Sequence, residues 1–574
     1  MFKTKALLGI TVIALLGCGG SERTDADTTA APQAQAASED PMEALGPVSE
    51  EVLKRHVLTL ADDSFEGRAP GTPGGKKTRE YLVSEMERLG LEPIGDSFEH
   101  PVTLVSRTLD PSRSSARFNY SDTLSDPLEY GPEAVYWTKR DDPELSIEDS
   151  EVIFVGHGVV APEYGWDDYA GLDATGKTVV MLINDPGFRQ QGEDFGGNAM
   201  TYYGRWTYKF EEAARQGAAA AIIIHQAAPA AYGWGVVEGS WSGPQLNLPR
   251  NPNDTAPVML EGWITEEQAE QLFEQAGMDL EGMEEQATMA GFTPVPIGEI
   301  TFSANLTQSL EETESANVAG VLPGTDRPDE YVIYTAHWDH LGVDEAMQAN
   351  GKDGIYNGAV DNATGTGGIL AIAETYADAG YRPSRSQIFL AVTAEESGLL
   401  GSKAFAENPP VPLSSIVGGI NIDAILPTGP ANDLTVVGYG SSELEDILAE
   451  VAGRKGKVLR PDPTPERGYF YRSDHVEFAK RGVPMLYVDN GVDLIEGGEE
   501  AGNAAGDAYT SGPYHNVTDE VDHPSTWRWD GMTELLTILR DTGLEIANTE
   551  GYPNWYEGNE FRAIRDEQMA ASGK

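Results

Sequence analysis

Strand-like apolar runs that alternate with helical patterns fill the second half of the chain, and they leave little choice of architecture. Tyr331 to Ala336, Gln387 to Thr393, Ile416 to Ile422, Leu434 to Val437 and Pro484 to Val488 have the length and composition of buried strands. Gly365 to Ala377, Glu443 to Ala452 and Trp529 to Ala547 carry helical spacing. The alternation predicts an α/β sheet covered on both faces. In an open sheet of that kind, functional groups gather beyond the carboxyl ends of the strands.

The residues just after those strands form a consistent chemical set. The first strand runs into His337-Trp338-Asp339-His340, and Gly358-Ala359-Val360-Asp361-Asn362 opens the following helix. Glu395-Glu396 follow the second strand, Asp423 ends the third, and Pro513-Tyr514-His515 lies in a loop before the last helix. Each feature alone has an ordinary explanation. A histidine after a strand is usually a hydrogen-bonded polar group, paired glutamates suit a helix start, and an aspartate often closes a turn. Two histidines and three carboxylates at separate strand ends of one sheet are a stronger signal. Imidazole with hard carboxylates suits Zn²⁺, with Mn²⁺ or Co²⁺ as substitutes. The single cysteine, Cys18, excludes a thiolate metal site and an intrachain disulfide.

These five segments, with Ser473-Asp474-His475 ahead of Gly482-Val483-Pro484, resemble the dinuclear zinc exopeptidases of peptidase family M28, which include bacterial leucyl aminopeptidase and glutamate carboxypeptidase. The resemblance extends over about Met42 to Ala547. It implies an α/β zinc-exopeptidase (phosphorylase/hydrolase-like) fold, a three-layer α/β/α sandwich around a mixed central sheet. It implies two zinc ions per chain, with Asp361 bridging them, His337 and Asp423 completing one site, and Glu396 and His515 the other. By the same resemblance Asp339 orients His337, Glu395 is the general base, Tyr514 contacts the oxyanion, and a cis peptide follows the bridging aspartate at Asp361-Asn362.

With 574 residues the chain exceeds what one compact core accommodates, so more than one domain is expected. Between about 135 and 300 the texture changes, with strand-like Glu151 to Val160, Thr178 to Ile183 and Ala219 to His225 and a helix at about Tyr208 to Gln216. Gly176-Lys177-Thr178-Val179-Val180 and the helix-Gly-Ala-strand unit ending Ile222-Ile223-Ile224 resemble a protease-associated domain, a β-rich inserted module without catalytic residues. The expected organisation places the first part of the peptidase in 42–134, the insert in 135–300, and the second part, with every metal ligand, in 301–548. A polar tail, 549–574, is expected to be loosely attached.

Ahead of these, Lys3 and Lys5 precede an apolar run, Ala6 to Leu16, that is too short to span a bilayer as a mature helix. It ends in Leu15-Leu16-Gly17-Cys18, which resembles a bacterial lipoprotein signal. The expectation is removal of 1–17, a lipid on Cys18, a flexible tether over 18–41, and export to the outer membrane facing the periplasm or cell exterior. A formal net charge of -54, from 93 acidic against 39 basic residues, repels nucleic acid and anionic membranes. Membrane attachment is therefore expected only through the lipid.

The activity expected is that of an aminopeptidase acting on peptides. A carboxypeptidase of the same family is the alternative, which would need cations such as Arg467 and Arg472 for a substrate carboxylate. A one-zinc glutaminyl cyclase fits less well because the five-ligand set is complete. A non-catalytic peptide-binding lipoprotein on the same fold is the remaining reading.

Overall fold

A computed structural model of the chain describes residues 41–120, 125–189, 195, 197–521 and 523–573. Residues 45–574 form one compact unit. The signal, Cys18 and nearly all of the tether read from the sequence lie outside the described residues. Among the described residues no helix is long and apolar enough to cross a membrane.

In chain order the strands are β1 (Glu99–Leu109), β2 (Ser115–Asn119), β3 (Ala134–Trp137), β4 (Glu144–Phe154), β5 (Thr178–Leu182), β6 (Ala220–Ile224), β7 (Pro244–Asn247) and β8 (Leu260–Ile264). There follow β9 (Val295–Leu322), β10 (Arg327–His337), β11 (Arg385–Val392), β12 (Ile416–Asn421), β13 (Asp433–Val437), β14 (Val458–Pro461) and β15 (Met485–Asn490). They join one mixed network in the order β14-β13-β15-β12-β10-β11-β9-β4-β5-β6-β8-β3. Parallel pairing of β10 with β11 and β12, and of β12 with β15, forms the centre of the C-terminal half. Antiparallel β9 closes one side of it.

The 28-residue strand β9 belongs to both halves. Its first part pairs with β2 and β4, its middle with β1, and its last residues with β11. The strands of the 135–300 segment and those of the C-terminal half therefore share β9. β2 pairs with Thr301–Asn305, so the sheet that holds β4 and β5 takes in residues from Ser115 on. Apolar alternation at Ile300, Phe302, Ala304 and Leu306 buries one face of β9, while the acidic stretch Glu311 to Glu314 hides the strand in the sequence. Its two-sided pairing supplies what those side chains do not.

Helices α1 (Glu50–Leu60), α2 (Pro73–Arg88), α3 (Trp206–Arg215) and α4 (Glu266–Gln275) are followed by α5 (Thr364–Ala379), α6 (Leu400–Glu407), α7 (Leu444–Arg454), α8 (Gly498–Ser511), α9 (Trp529–Asn548) and α10 (Arg562–Ser572). Ser49 caps α1 and Thr72 caps α2, where Pro73 loses no hydrogen bond at the first helical position. Helix α5 is buried from Thr364 to Tyr376. Its glycines permit that depth, since a Cβ at Gly365 would lie 2.3 Å from the Ile422 carbonyl oxygen.

The C-terminal segment is packed rather than loosely attached. Trp555 is fully buried with Nε1 donating to the Gly482 carbonyl, and Arg565 donates to the Ile416 carbonyl at 2.8 Å. Two buried anchors outweigh the polar average of the tail, which is why average polarity misled the sequence reading.

Candidate metal centre

The parallel register sets His337 of β10 beside Val392 of β11, and Thr335 beside Asn421 of β12. Residues just past these strand ends therefore converge. Ala394 and Ala424 have φ of 53°, so the chain turns sharply beside Glu395 and Asp423. The Asp361-Asn362 peptide is cis, at the position expected.

His337, Asp361, Glu396, Asp423 and His515 meet in one cluster. His337 Nε2 lies 3.1 Å from Asp423 Oδ1 and 3.1 Å from Asp361 Oδ1. His515 Nε2 lies 3.2 Å from Asp361 Oδ2 and 3.1 Å from Glu396 Oε2. Asp361 thus turns one oxygen to each histidine, and each histidine has a second carboxylate of its own.

Charge in this cluster is unbalanced. Burial disfavours the imidazolium form of His337, but Asp423, Glu395 and Asp361 outweigh it and raise the histidine well above its usual range. His515 is raised in the same way by Glu396 and Asp361. Burial, with Glu396, Asp423 and Asp474, pushes the Glu395 carboxyl well up. So many carboxylates around two imidazoles call for additional positive charge, and the donor types suit divalent metal.

Supporting contacts hold each group. His337 Nδ1 lies 3.1 Å from the Asp339 backbone carbonyl, whereas the Asp339 carboxylate is 4.0 Å away and accepts the Glu395 N–H at 3.1 Å. Asp339 therefore meets His337 Nδ1 through its main-chain carbonyl. Asp519 accepts the N–H groups of Val360 and Asp361, both at 3.0 Å. The fully buried Arg68 donates to the carbonyls of Trp338, Asn357 and Gly358, binding the two loops that carry His337 and Asp361. Tyr514 is 44% exposed toward the cleft and stacks on His515 at 4.0 Å between ring centroids.

Sequence reasoning gave no role to His340, whose Nδ1 lies 2.6 Å from Glu396 Oε1. Its spacing three residues after His337 was the available signal. Ser473, which donates to Asp423 Oδ2 at 2.6 Å, was noticed only as part of a motif. A second cluster, His56, Glu85 and Glu374, has metal-ligand chemistry by composition. Arg55 and Arg88 already fill it, donating to Glu374 at 2.7 and 2.6 Å, so it is an ion-pair network between α1, α2 and α5.

The cluster opens into a cleft of about 1380 Å³ that also carries residues of the 135–300 segment, among them Arg205, Tyr232 and Trp241. Arg472 lines this cleft, as does Arg467, whose Nη1 donates to Tyr469 Oη at 3.3 Å.

The histidine–carboxylate centre lies at the strand ends of a mixed α/β sheet, and its donors suit a divalent metal. Residues 317–538 match the family described as Peptidase family M28. The chain is 39% identical over 102 residues to aminopeptidase NAALADL1 of Rattus norvegicus, which is 17% of this chain and 12% of that one. It is 28% identical over 242 residues to leucine aminopeptidase 2 of Arthroderma otae, 40% of this chain and 45% of that one. These matched stretches span less than half the length of the relatives. Among solved structures, an aminopeptidase from Aneurinibacillus sp. strain AM-1 aligns with a TM-score of 0.48 at 17% identity, covering 89% of this chain and 97% of that one.

Proposed function

We propose that this chain is a two-zinc exopeptidase, an aminopeptidase that releases N-terminal residues from peptides. The observation that carries the reading is Asp361, whose two carboxylate oxygens face His337 and His515 separately. His337, Asp423 and one oxygen of Asp361 would hold one ion; His515, Glu396 and the other oxygen would hold the second. When bound, the pair supplies Lewis acidity, polarising a carbonyl and making water a better acid. Mn²⁺ and Co²⁺ suit the same donors.

The chain's own residues supply the proton chemistry. Glu395 accepts a proton from the attacking water and returns it to the leaving amine, a task suited to a carboxylate whose affinity for protons is raised. The Tyr514 hydroxyl faces the cleft and donates toward the oxygen that gains charge as the scissile carbonyl is attacked. Asp489, on the cleft wall, is pushed well up by burial and by Asp423 and Asp462. A free α-ammonium group would relieve that repulsion, which favours an aminopeptidase.

The 135–300 segment is read as a protease-associated insert, and the Gly17-Cys18 junction as the lipidation site of an exported, outer-membrane-anchored protein. Metal analysis of purified protein tests the central reading. Two ions per chain, loss of aminoacyl-amide hydrolysis with a chelator, and loss from both sites in Asp361→Ala are expected. One ion in fully active protein would overturn the bridging role.

A further inference from the structure

The stretch ahead of Ser473 has little structure of its own. Pro465–Arg467 and Tyr469–Tyr471 are single 3₁₀ turns joined by Gly468, which takes the left-handed conformation at φ 64°. Turns this short bond within themselves and have no stability in isolation, so their position is set by what packs against them. On one side that is the 135–300 segment. The Met200 N–H donates to the Pro465 carbonyl at 3.1 Å, and Asn198 Nδ2 donates to Glu466 Oε2 at 3.2 Å. The buried Met200 side chain lies against Gly468, where a Cβ would come within 2.5 Å of its sulfur. The Tyr202 ring packs beside that of Tyr471, 6.2 Å between centroids, and under the Lys480 ammonium at 5.1 Å. On the other side Tyr471 Oη donates to Glu560 of the C-terminal segment at 2.8 Å.

The seat is itself held. Asp185, fully buried, accepts the Thr201 N–H and hydroxyl at 2.8 and 2.7 Å with one oxygen and the Gly187 N–H at 3.0 Å with the other. Lys209 of α3 donates to the carbonyl of Asn184, next to Asp185, at 2.7 Å. Met200 and Tyr202 thus flank a residue tied to the core of their own segment. Beyond the turns the path is short. Ser473 follows Tyr471 by two residues, its Oγ donates to Asp423 Oδ2 at 2.6 Å, and the other oxygen of Asp423 faces His337. Asn421 holds the serine hydroxyl from the strand side, while the turns carry its backbone. A donor displaced by about 1 Å from this position is beyond hydrogen-bonding reach, so the seating of the turns bears directly on the aspartate.

We propose that Met200 and Tyr202 are positioning residues for Asp423: docked on the 465–471 turns, they hold the Ser473 backbone where its hydroxyl orients the carboxylate. The 135–300 segment, which supplies no residue of the histidine–carboxylate cluster, thereby governs one half of it through a contiguous chain of packed groups. The Asp361 half is held by Asp519 and is off this path. Which metal ion responds rests on the two-zinc reading; the coupling itself does not.

Hydrogen exchange on metal-free protein and zinc titration against a competing chelator read the two. In Met200→Ala and Tyr202→Ala, protection should fall in 465–474 and 420–425 and hold in 358–362 and 513–519. One of the two zinc ions should bind about tenfold more weakly. Met200→Leu and Tyr202→Phe refill the seat and should restore both readouts. In a Ser473→Ala background Met200→Ala should weaken zinc no further, because the contact it acts through is already gone. Should the alanine variants fail to fold, Gly468→Ala presses on the same seat from the turn and is expected to give the same pattern. Equal weakening of both ions, unchanged exchange at 420–425, or effects of Met200→Ala and Ser473→Ala that simply add would overturn the proposal. Exchange that spreads to 420–425 in a protein that binds no zinc keeps the coupling and removes the exopeptidase. Tight binding of two ions in every variant, with exchange unchanged, does the reverse.

Discussion

Ser473 Oγ donates to Asp423 Oδ2 at 2.6 Å, which leaves Oδ1 of the same carboxylate facing His337. Asn421 Nδ2 donates to that serine oxygen at 2.6 Å, so a strand residue fixes the serine and the serine fixes the aspartate. Ser473→Ala is expected to lower affinity for one of two metal ions by about 10–100-fold while leaving the fold intact. Competition with a chromogenic chelator measures this. Unchanged affinity for both ions would show that Asp423 needs no such support.

Glu395 and Glu396 are neighbours with divergent surroundings. Glu396 reaches His340 and His515, whereas Glu395 lies by His337, Asp423 and Asp474. Glu395→Gln should retain its metal and lose turnover by about 10²–10⁴-fold. Glu396→Gln should lose metal, and excess zinc should restore part of its activity. Zinc content and kcat at saturating substrate check both, and near-normal kcat in metal-loaded Glu395→Gln would remove the proposed base.

Glu374 ties α1 and α2 to α5. Burial alone would raise its carboxyl, but the nearby His56 ring and hydrogen bonds from Arg88 and Arg55 lower it from 4.5 to about 2. The stabilisation is therefore complete above pH 4.5 and is lost as the pH falls through that value toward 2. Because Arg55 and Arg88 are partly solvated, Glu374→Gln should cost only about 1–2 kcal/mol at pH 7. The gap between wild type and variant should narrow by pH 3, as read from denaturant unfolding at both pH values. A gap that widens in acid would contradict the network described.

The N-terminal expectation is tested separately. Labelled fatty acid should enter the wild-type protein when it is expressed in a bacterium and should not enter Cys18→Ser. Equal labelling of both would reject Cys18 as the anchor.

The metal cluster was legible in the sequence because His337, Glu396 and Asp423 follow apolar strands, while Asp361 and His515 stand in short segments that resemble the family's motifs. His337, Asp361, Glu396, Asp423 and His515 all converge in the structure. Their supports were less visible. Ser473 and Arg68 act through contacts 50 and 270 residues away in sequence, to Asp423 and Trp338, and no local pattern announces such pairs. Strand β9 escaped notice because its glutamates resemble a solvated loop and its stability comes from partners on both edges.

That strand also dictates when the protein can finish folding. Its pairing with β1 joins Glu99–Leu109 to Gln308–Val318, segments separated by roughly two hundred residues that must themselves fold into the insert. Closing so long a loop is entropically unfavourable until the intervening structure has condensed. The last residues of β9 then zip onto β11, beside the strand that delivers His337. Metal-binding competence should accordingly be among the last properties regained on refolding, after most of the secondary structure has formed.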